Sequence, residues 1–506
     1  VSDHKTSSRG AGGYFRTKTV EQSIRDTEEP DHALTRSLSA LDLTVFGVGV
    51  VIGTGIFVLT GAVAKEAAGP AVAISFAVAG LVCGLAALCY AEFASTVPVA
   101  GSAYTFSYAS LGELPAWIIG WDLVLEMALG CAVVAVGWSG YIRSLLDNAG
   151  WNLPQALSGT SQETGFGFDL LAFLLVLALT AVLVAGMKLS ARVTSVVVAI
   201  KVGVVLVVIV VGAFLIKAEN YRPFIPPAEE TTGGGSDIGA PLVQLLFGYT
   251  PSTFGVMGIF TAAAIVFFAF IGFDIVATAA EETRNPQRDL PRGIIGTLII
   301  CTVLYVAVSA VVTGMQKYTL LSVDAPLADA FKETGHPFWA GLISFGAAVG
   351  LTTVCMILLL GQTRVFFAMS RDGLLPRTFS KVHPHFRTPY RSTILLGVAA
   401  AVIAGFTSIS ELAELVNIGT LFAFVVVAIG VVVLRRTRPD LPRSFRTPLV
   451  PFLPAVSVLA SLWLMLNLSG ETWLRFLIWM AAGFLIYFLY GRRNSRMSAT
   501  TDRLDH

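Results

Sequence analysis

The stretch Gly47-Val-Gly-Val-Val-Ile-Gly53-Thr54-Gly55-Ile-Phe57 decides the fold. It lies inside an apolar run over about residues 42–66, long enough to cross a bilayer. Four glycines within nine residues weaken a helix at its middle, because glycine loses the most backbone freedom on becoming helical. Lipid cannot hydrogen-bond a bare backbone, so a broken helix survives in a membrane only where protein or a cavity satisfies it. The break therefore offers free N–H and C=O groups to a ligand. The plainer alternative is close helix packing on small residues. Composition alone leaves both open.

Working outward, the 506 residues are 55% hydrophobic and only 13% charged. The charged share is about half that of an average soluble domain, which excludes disordered, collagen-like and ordinary cytosolic classes. Twelve apolar runs fall at about 42–66, 71–97, 114–142, 168–187, 190–216, 256–282, 291–314, 338–370, 390–407, 411–434, 451–468 and 473–491. Runs of this length are helices, since barrel strands are shorter and alternate in polarity. The chain reads as an all-α polytopic membrane protein with 12 transmembrane helices, in contact with lipid. Its net charge of +1 makes no case for nucleic acid. Cys83, Cys89, Cys131, Cys301 and Cys355 all lie in apolar runs without metal-ligand spacing, and read as small fillers. The first 40 residues are polar, and no cleavable signal peptide is expected.

With the N-terminus inside, 26 of the 34 lysines and arginines fall on inside segments. Seven fall outside: Lys65, Arg143, Lys217, Arg222, Lys317, Lys332 and Arg475. The remaining one, Lys201, is inside a span. The positive-inside rule then places both termini in the cytoplasm of a plasma-membrane protein. The expected division is a cytoplasmic tail (1–41), spans 1–5 (42–217), an extracellular loop (218–255), spans 6–10 (256–434), spans 11–12 (435–491) and a second cytoplasmic tail (492–506). The loop is rich in Pro and Gly, including Gly233-Gly234-Gly235, and carries no motif. The stretch 98–113 holds Pro98, Gly101, Tyr104, Phe106 and Tyr108 but no Lys or Arg, and reads as an interfacial helix or a short internal hairpin.

Span 6 supplies a second break, Phe267-Phe268-Ala-Phe270-Ile271-Gly272-Phe273-Asp274. A mid-span carboxylate costs about 2.5–3.5 kcal/mol on insertion scales, which Asp274 offsets if it caps a new half-helix. Interrupted segments at matching positions of two halves point to an inverted-repeat transporter, spans 1–5 matching 6–10. The half-helix N-termini then face an anionic group, and freed carbonyls face an ammonium. An amino acid fits both ends.

The chain resembles the amino acid–polyamine–organocation transporters, in the cationic amino acid transporter branch, bacterial type. The stretches that carry this are Leu38-Ser-Ala-Leu-Asp-Leu-Thr-Val-Phe-Gly, Gly53-Thr-Gly-Ile-Phe-Val-Leu-Thr-Gly61, Pro98-Val-Ala-Gly-Ser-Ala-Tyr104 and Trp117-Ile-Ile-Gly-Trp-Asp-Leu-Val-Leu-Glu126. They continue in order with Phe268-Ala-Phe-Ile-Gly-Phe-Asp274, Ala279-Ala-Glu-Glu-Thr-Arg-Asn-Pro-Gln-Arg-Asp-Leu-Pro291 and Arg364-Val-Phe-Phe-Ala-Met-Ser-Arg-Asp-Gly-Leu-Leu-Pro376. The resemblance implies the leucine-transporter-like fold, a five-plus-five inverted repeat plus two extra helices, working by alternating access. It implies that Gly53, Thr54 and Gly55 meet the substrate carboxylate. The amine would go to carbonyls around Phe268 and Ile271, and Phe268 would gate the site. A small accessory membrane subunit is not derivable from the sequence.

Lys201 lies about 12 residues into span 5, too deep for its side chain to reach either interface. Burial disfavours its ammonium form, so such a lysine can change protonation during a transport cycle. The resemblance adds that its ammonium stands where sodium-coupled relatives hold a cation. The competing reading is a permanently charged lysine tethering carbonyls. Glu126 in mid-span 3 is expected near the substrate, with Asp122 one turn away, solvated or paired near the inner edge. Glu92 is expected to snorkel or pair locally. Glu281-Glu282-Thr-Arg284-Asn-Pro286 and Arg371-Asp372-Gly373 form an inner gate or simply end helices.

The histidines lie in tails and loops, and no nucleophile–base pair or metal cluster is apparent, so no enzyme and no cofactor is expected. The expected function is an amino-acid permease driven by protons, its substrate cationic or small and neutral. The alternatives are sodium coupling, with Thr352 and Thr353 as ligands, an exchanger or facilitator, and a non-transporting amino-acid sensor.

Overall fold

A computed structural model describes residues 38–97, 102–151, 153–157, 159, 167–186, 191–230, 237–247, 252–386 and 388–495. Ser39 opens the first helix, Ala40–Val51, with a capping box. Its N–H donates to Asp42 Oδ2 at 2.9 Å, and its hydroxyl accepts from the Asp42 N–H at 3.4 Å. The helix stops at Ile52, where the backbone is extended, and resumes as Gly55–Leu59, Thr60–Val63 and Ala64–Ala68. Span 6 is likewise divided into Gly255–Val266, Phe267–Phe270 and Asp274–Glu282. Helical segments lie at each of the twelve apolar runs. The strand structure among the described residues is a two-residue antiparallel pairing, Glu229–Glu230 with Ser252–Thr253.

The packing follows the repeat. Span 2 (Val72–Thr96) packs on span 7 (Pro286–Met315), span 3 (Glu113–Asn148) on span 8 (Pro337–Arg371), and span 4 (Leu170–Val184) on span 9 (Tyr390–Phe406). The segment Gly55–Leu59 of span 1 meets Phe267–Phe270 of span 6. Partners five crossings apart run antiparallel, which an inverted repeat requires. Span 11 (Phe452–Leu466) and span 12 (Gly470–Ile486) lie on span 10 (Ile409–Thr437). Leu81, Val210, Ile299, Val303, Leu459 and Leu485 are exposed on the outside of these helices, a surface that only lipid matches.

The stretch left open between spans 2 and 3 contains a helix, Ser102–Ser110, packed on spans 3 and 10. Tyr104, Phe106 and Tyr108 are buried against protein rather than lying in a bilayer interface, while Pro98 and Gly101 fall outside the described residues. So do Gly233-Gly234-Gly235 of the long loop. Glu92 neither snorkels nor pairs locally. It is buried, and Arg435, 343 residues away, grips it with two donors, Nε to Oε1 at 2.8 Å and Nη2 to Oε2 at 2.6 Å. The Thr447 N–H adds a third bond at 2.8 Å. A buried carboxylate needs this many donors, and one helix turn cannot supply them.

Candidate functional site

In an unbroken span 1 the N–H of Gly53 would close on the Gly49 carbonyl and that of Gly55 on the Val51 carbonyl. Other spans supply those donors instead. Lys201 Nζ donates to Gly49 O at 2.6 Å, and the Tyr305 hydroxyl donates to Val51 O at 2.7 Å. Gly53, Thr54 and Gly55 make no backbone–backbone donation, so their N–H groups stay available at the start of the second half-helix. The buried Thr54 hydroxyl also has no hydrogen-bond partner.

The span 6 break works differently. Ile271 is extended and Gly272 takes φ +111°, a conformation that strongly favours glycine. The Asn417 side chain of span 10 donates to the carbonyls of Ala264 at 2.8 Å and Ile265 at 2.9 Å. The two breaks press directly on each other. A Cβ on Gly55 would run into the backbone of Ala269, and one on Gly272 would meet Val50. Each glycine thus lets the other segment's chain approach.

Gly53, Thr54, Gly55, Glu126, Phe268 and Ile271 line one cavity between the breaks, so the structure brings these six expected residues together. Val134, Val354 and Leu358 complete an apolar wall. The cavity is about 20 Å³, room for a single water, so an amino acid enters only after the segments separate. A larger polar cavity of about 220 Å³, spanned by the Arg143–Asp324 ion pair at 3.1 Å, lies away from both breaks.

Lys201 and Asp274 stand outside the cavity wall. Lys201 is buried, its stem lying against Gly350 of span 8. Asp274 is the first residue of its helical segment, not its cap; Phe273 holds that position and makes no side-chain bond there. A carboxylate in the first turn still suits the helix dipole. Glu126 is 5% exposed with Oε2 unpartnered. Asp122, expected to be solvated or paired, is fully buried with neither oxygen hydrogen-bonded. Gly419 of span 10 packs onto its carboxyl group, and span 12 covers the neighbouring Trp121 through stacking with Trp479. Thr352 and Thr353 spend their hydroxyls on their own helix, at Ala348 O (2.9 Å) and Gly350 O (2.8 Å). Of the inner-loop charges, Asp372 accepts from the Tyr104 hydroxyl at 2.8 Å.

Sequence reasoning missed Asn417 and Tyr305, the donors that close the breaks. Polar residues in spans 7 and 10 were the available signal, but their targets lie 254 and about 150 residues away.

A family model described as "Amino acid permease" matches residues 38–489. The methylthioribose transporter of Bacillus subtilis (strain 168) is 47% identical over 485 residues, covering 96% of this chain and 99% of the relative. The branched-chain amino acid permease BcaP of the same organism is 48% identical over 491 residues, with the same coverage. The vacuolar cationic amino acid transporter 4 of Arabidopsis thaliana is 33% identical, with 96% of each chain covered. With its paired repeats, two facing breaks and a cavity between them, the chain belongs to the amino acid permease family, a family of membrane transporters.

Proposed function

We propose that the protein takes up a neutral, apolar amino acid across the plasma membrane together with protons moving down their gradient, with both termini in the cytoplasm. The carboxylate binds the free N–H groups of Gly53, Thr54 and Gly55 and the Thr54 hydroxyl. The amine takes backbone carbonyls of the span 6 break around Phe268 and Ile271, and Phe268 closes the path. Val134, Val354 and Leu358 suit a branched aliphatic side chain, in keeping with the name of one relative, a branched-chain amino acid permease.

The observation that carries the coupling is the bond from Lys201 to Gly49 O at the edge of the substrate site. An ionisable group there ties protonation to the geometry of the break, and a ligand shifts the cycle only through such a difference between states. Both Thr352 and Thr353 hydroxyls being engaged, and Lys201 lying over Gly350, weigh against a sodium site in span 8. A cationic substrate is the second reading, supported by the unpartnered Glu126 oxygen in the cavity wall.

Uptake of a labelled amino-acid panel into proteoliposomes, with and without an imposed pH gradient and with and without sodium, tests both. Leucine-like substrates should accumulate with the gradient and without sodium. Lys201→Met should abolish that accumulation while sparing exchange; a gradient response that survives the substitution overturns the coupling.

A further inference from the structure

Among the described residues, Asp122 is the least satisfied charge-bearing group in the membrane core. Its side chain is fully buried and neither carboxyl oxygen has a hydrogen-bond partner. The ion pairs of the described residues do not include it. The titratable groups within electrostatic reach of it are acidic or phenolic: Glu126 one turn along the same helix, Asp274 of span 6 and Tyr90 of span 2. Span 10 presents Gly419, which leaves the carboxyl its space and offers no side chain to bond it. Charged, this carboxylate would sit uncompensated in a dry interior beside other acids. Neutral, it loses the charge and gains an O–H donor.

We propose that Asp122 is a proton-binding site, which accepts a proton from the cavity through Glu126 and holds it as a carboxylic acid in this closed state. Spacing i, i+4 places the two carboxyls on one helix face. The unpartnered Oε2 of Glu126 lines the cavity, and Asp122 lies one turn further toward the Glu113 end. The two carboxyls are not hydrogen-bonded to each other in this closed state, so one proton passes between them through water admitted when the segments separate, and nothing is oxidised or reduced. Release requires span 10 to part from span 3, which admits solvent to Asp122. Proton binding is thereby linked to a movement of the bundle. The transport consequence rests on the proton-coupled reading above; the protonation itself does not.

Two measurements on the full chain in lipid test this. Infrared difference spectra over a pH titration should show the carbonyl stretch of a protonated carboxylic acid, with one component lost in Asp122→Asn and shifted in Asp122→Glu. In proteoliposomes, a gradient of one pH unit supports about tenfold accumulation at one proton per substrate. Asp122→Asn should lose that accumulation while keeping gradient-free exchange within about twofold of the parent. An unchanged infrared spectrum in Asp122→Asn overturns the proposal, as does full accumulation by that variant. If the parent protein itself shows no gradient response, the proton-coupled reading fails, and the infrared component alone decides for or against Asp122. If Asp122→Asn loses exchange as well, restoration by Asp122→Glu supports a titrating carboxyl, and failure of both with an unchanged spectrum overturns it.

Discussion

Span 1 and span 6 both lose their helix inside the membrane, yet different chemistry closes their stray carbonyls. In span 1 the donors are an ammonium, Lys201, and a phenol, Tyr305. In span 6 the donor is the neutral amide of Asn417, which serves two carbonyls at once. Both arrangements meet the rule that no backbone group may face lipid bare. Only the first can change with protonation. One break can therefore answer the coupling ion, while the other is held by a group whose state is fixed.

The comparison fails outright if the breaks do not work as one unit. Gly55→Ala tests this with a single methyl group, because its Cβ would collide with the Ala269 backbone of span 6. An overpacked contact costs about 1–3 kcal/mol. Uptake should accordingly fall about ten- to a hundredfold at equal amounts of inserted protein. Gly203→Ala in span 5, where a Cβ meets nothing, is the control and should leave uptake unchanged. Equal rates in the two variants would dissolve the notion of mutually fitted breaks.

Asn417→Leu sharpens the contrast with Lys201→Met. Leaving the buried Ala264 carbonyl without its side-chain donor costs about 1–3 kcal/mol, while the Ile265 carbonyl keeps the Phe267 N–H. Thermal unfolding in detergent should show that loss, and uptake should drop by the same factor with and without a pH gradient. Lys201→Met should instead remove only the gradient-driven part. A selective loss of gradient response in Asn417→Leu would erase the distinction between an answering break and a fixed one.

How much of this was legible beforehand differs between the breaks. The glycine cluster at 47–55 and the aromatic-glycine stretch at 267–274 locate both interruptions, because helix weakness is a local property of sequence. The depth of Lys201 follows from its distance to the span ends. Its bond to Gly49, 152 residues away, is a fact of packing, as is that of Tyr305 to Val51. Asn417 is, in sequence, one polar residue in a span, since nothing in its neighbours records which carbonyls a distant helix leaves open. The burial of Asp122 escapes local sequence for the same reason. Counting along span 3 puts it near an end, but span 10 and span 12 pack around that end and exclude solvent. The Arg435 clamp on Glu92 also depended on contacts that no local pattern announces.

The finest test separates the two donors of span 1. Tyr305→Phe removes one neutral hydrogen bond, worth about 0.5–1.5 kcal/mol net, and leaves the ring edge-on to Phe76 and tilted against Phe270. If Lys201, and not Tyr305, is the donor of span 1 that responds to protons, this variant should melt slightly earlier and show an undiminished accumulation ratio per unit of pH gradient. A double-mutant cycle with Lys201→Met then measures whether the two bonds, on carbonyls two residues apart, act independently. Side chains that share one backbone segment usually couple by about 0.5–3 kcal/mol. A coupling in that range means that the ammonium and the phenol hold the same piece of unwound chain. A value near zero means that Gly49 and Val51 are tethered separately, and that proton binding at Lys201 reaches the substrate site without passing through Tyr305.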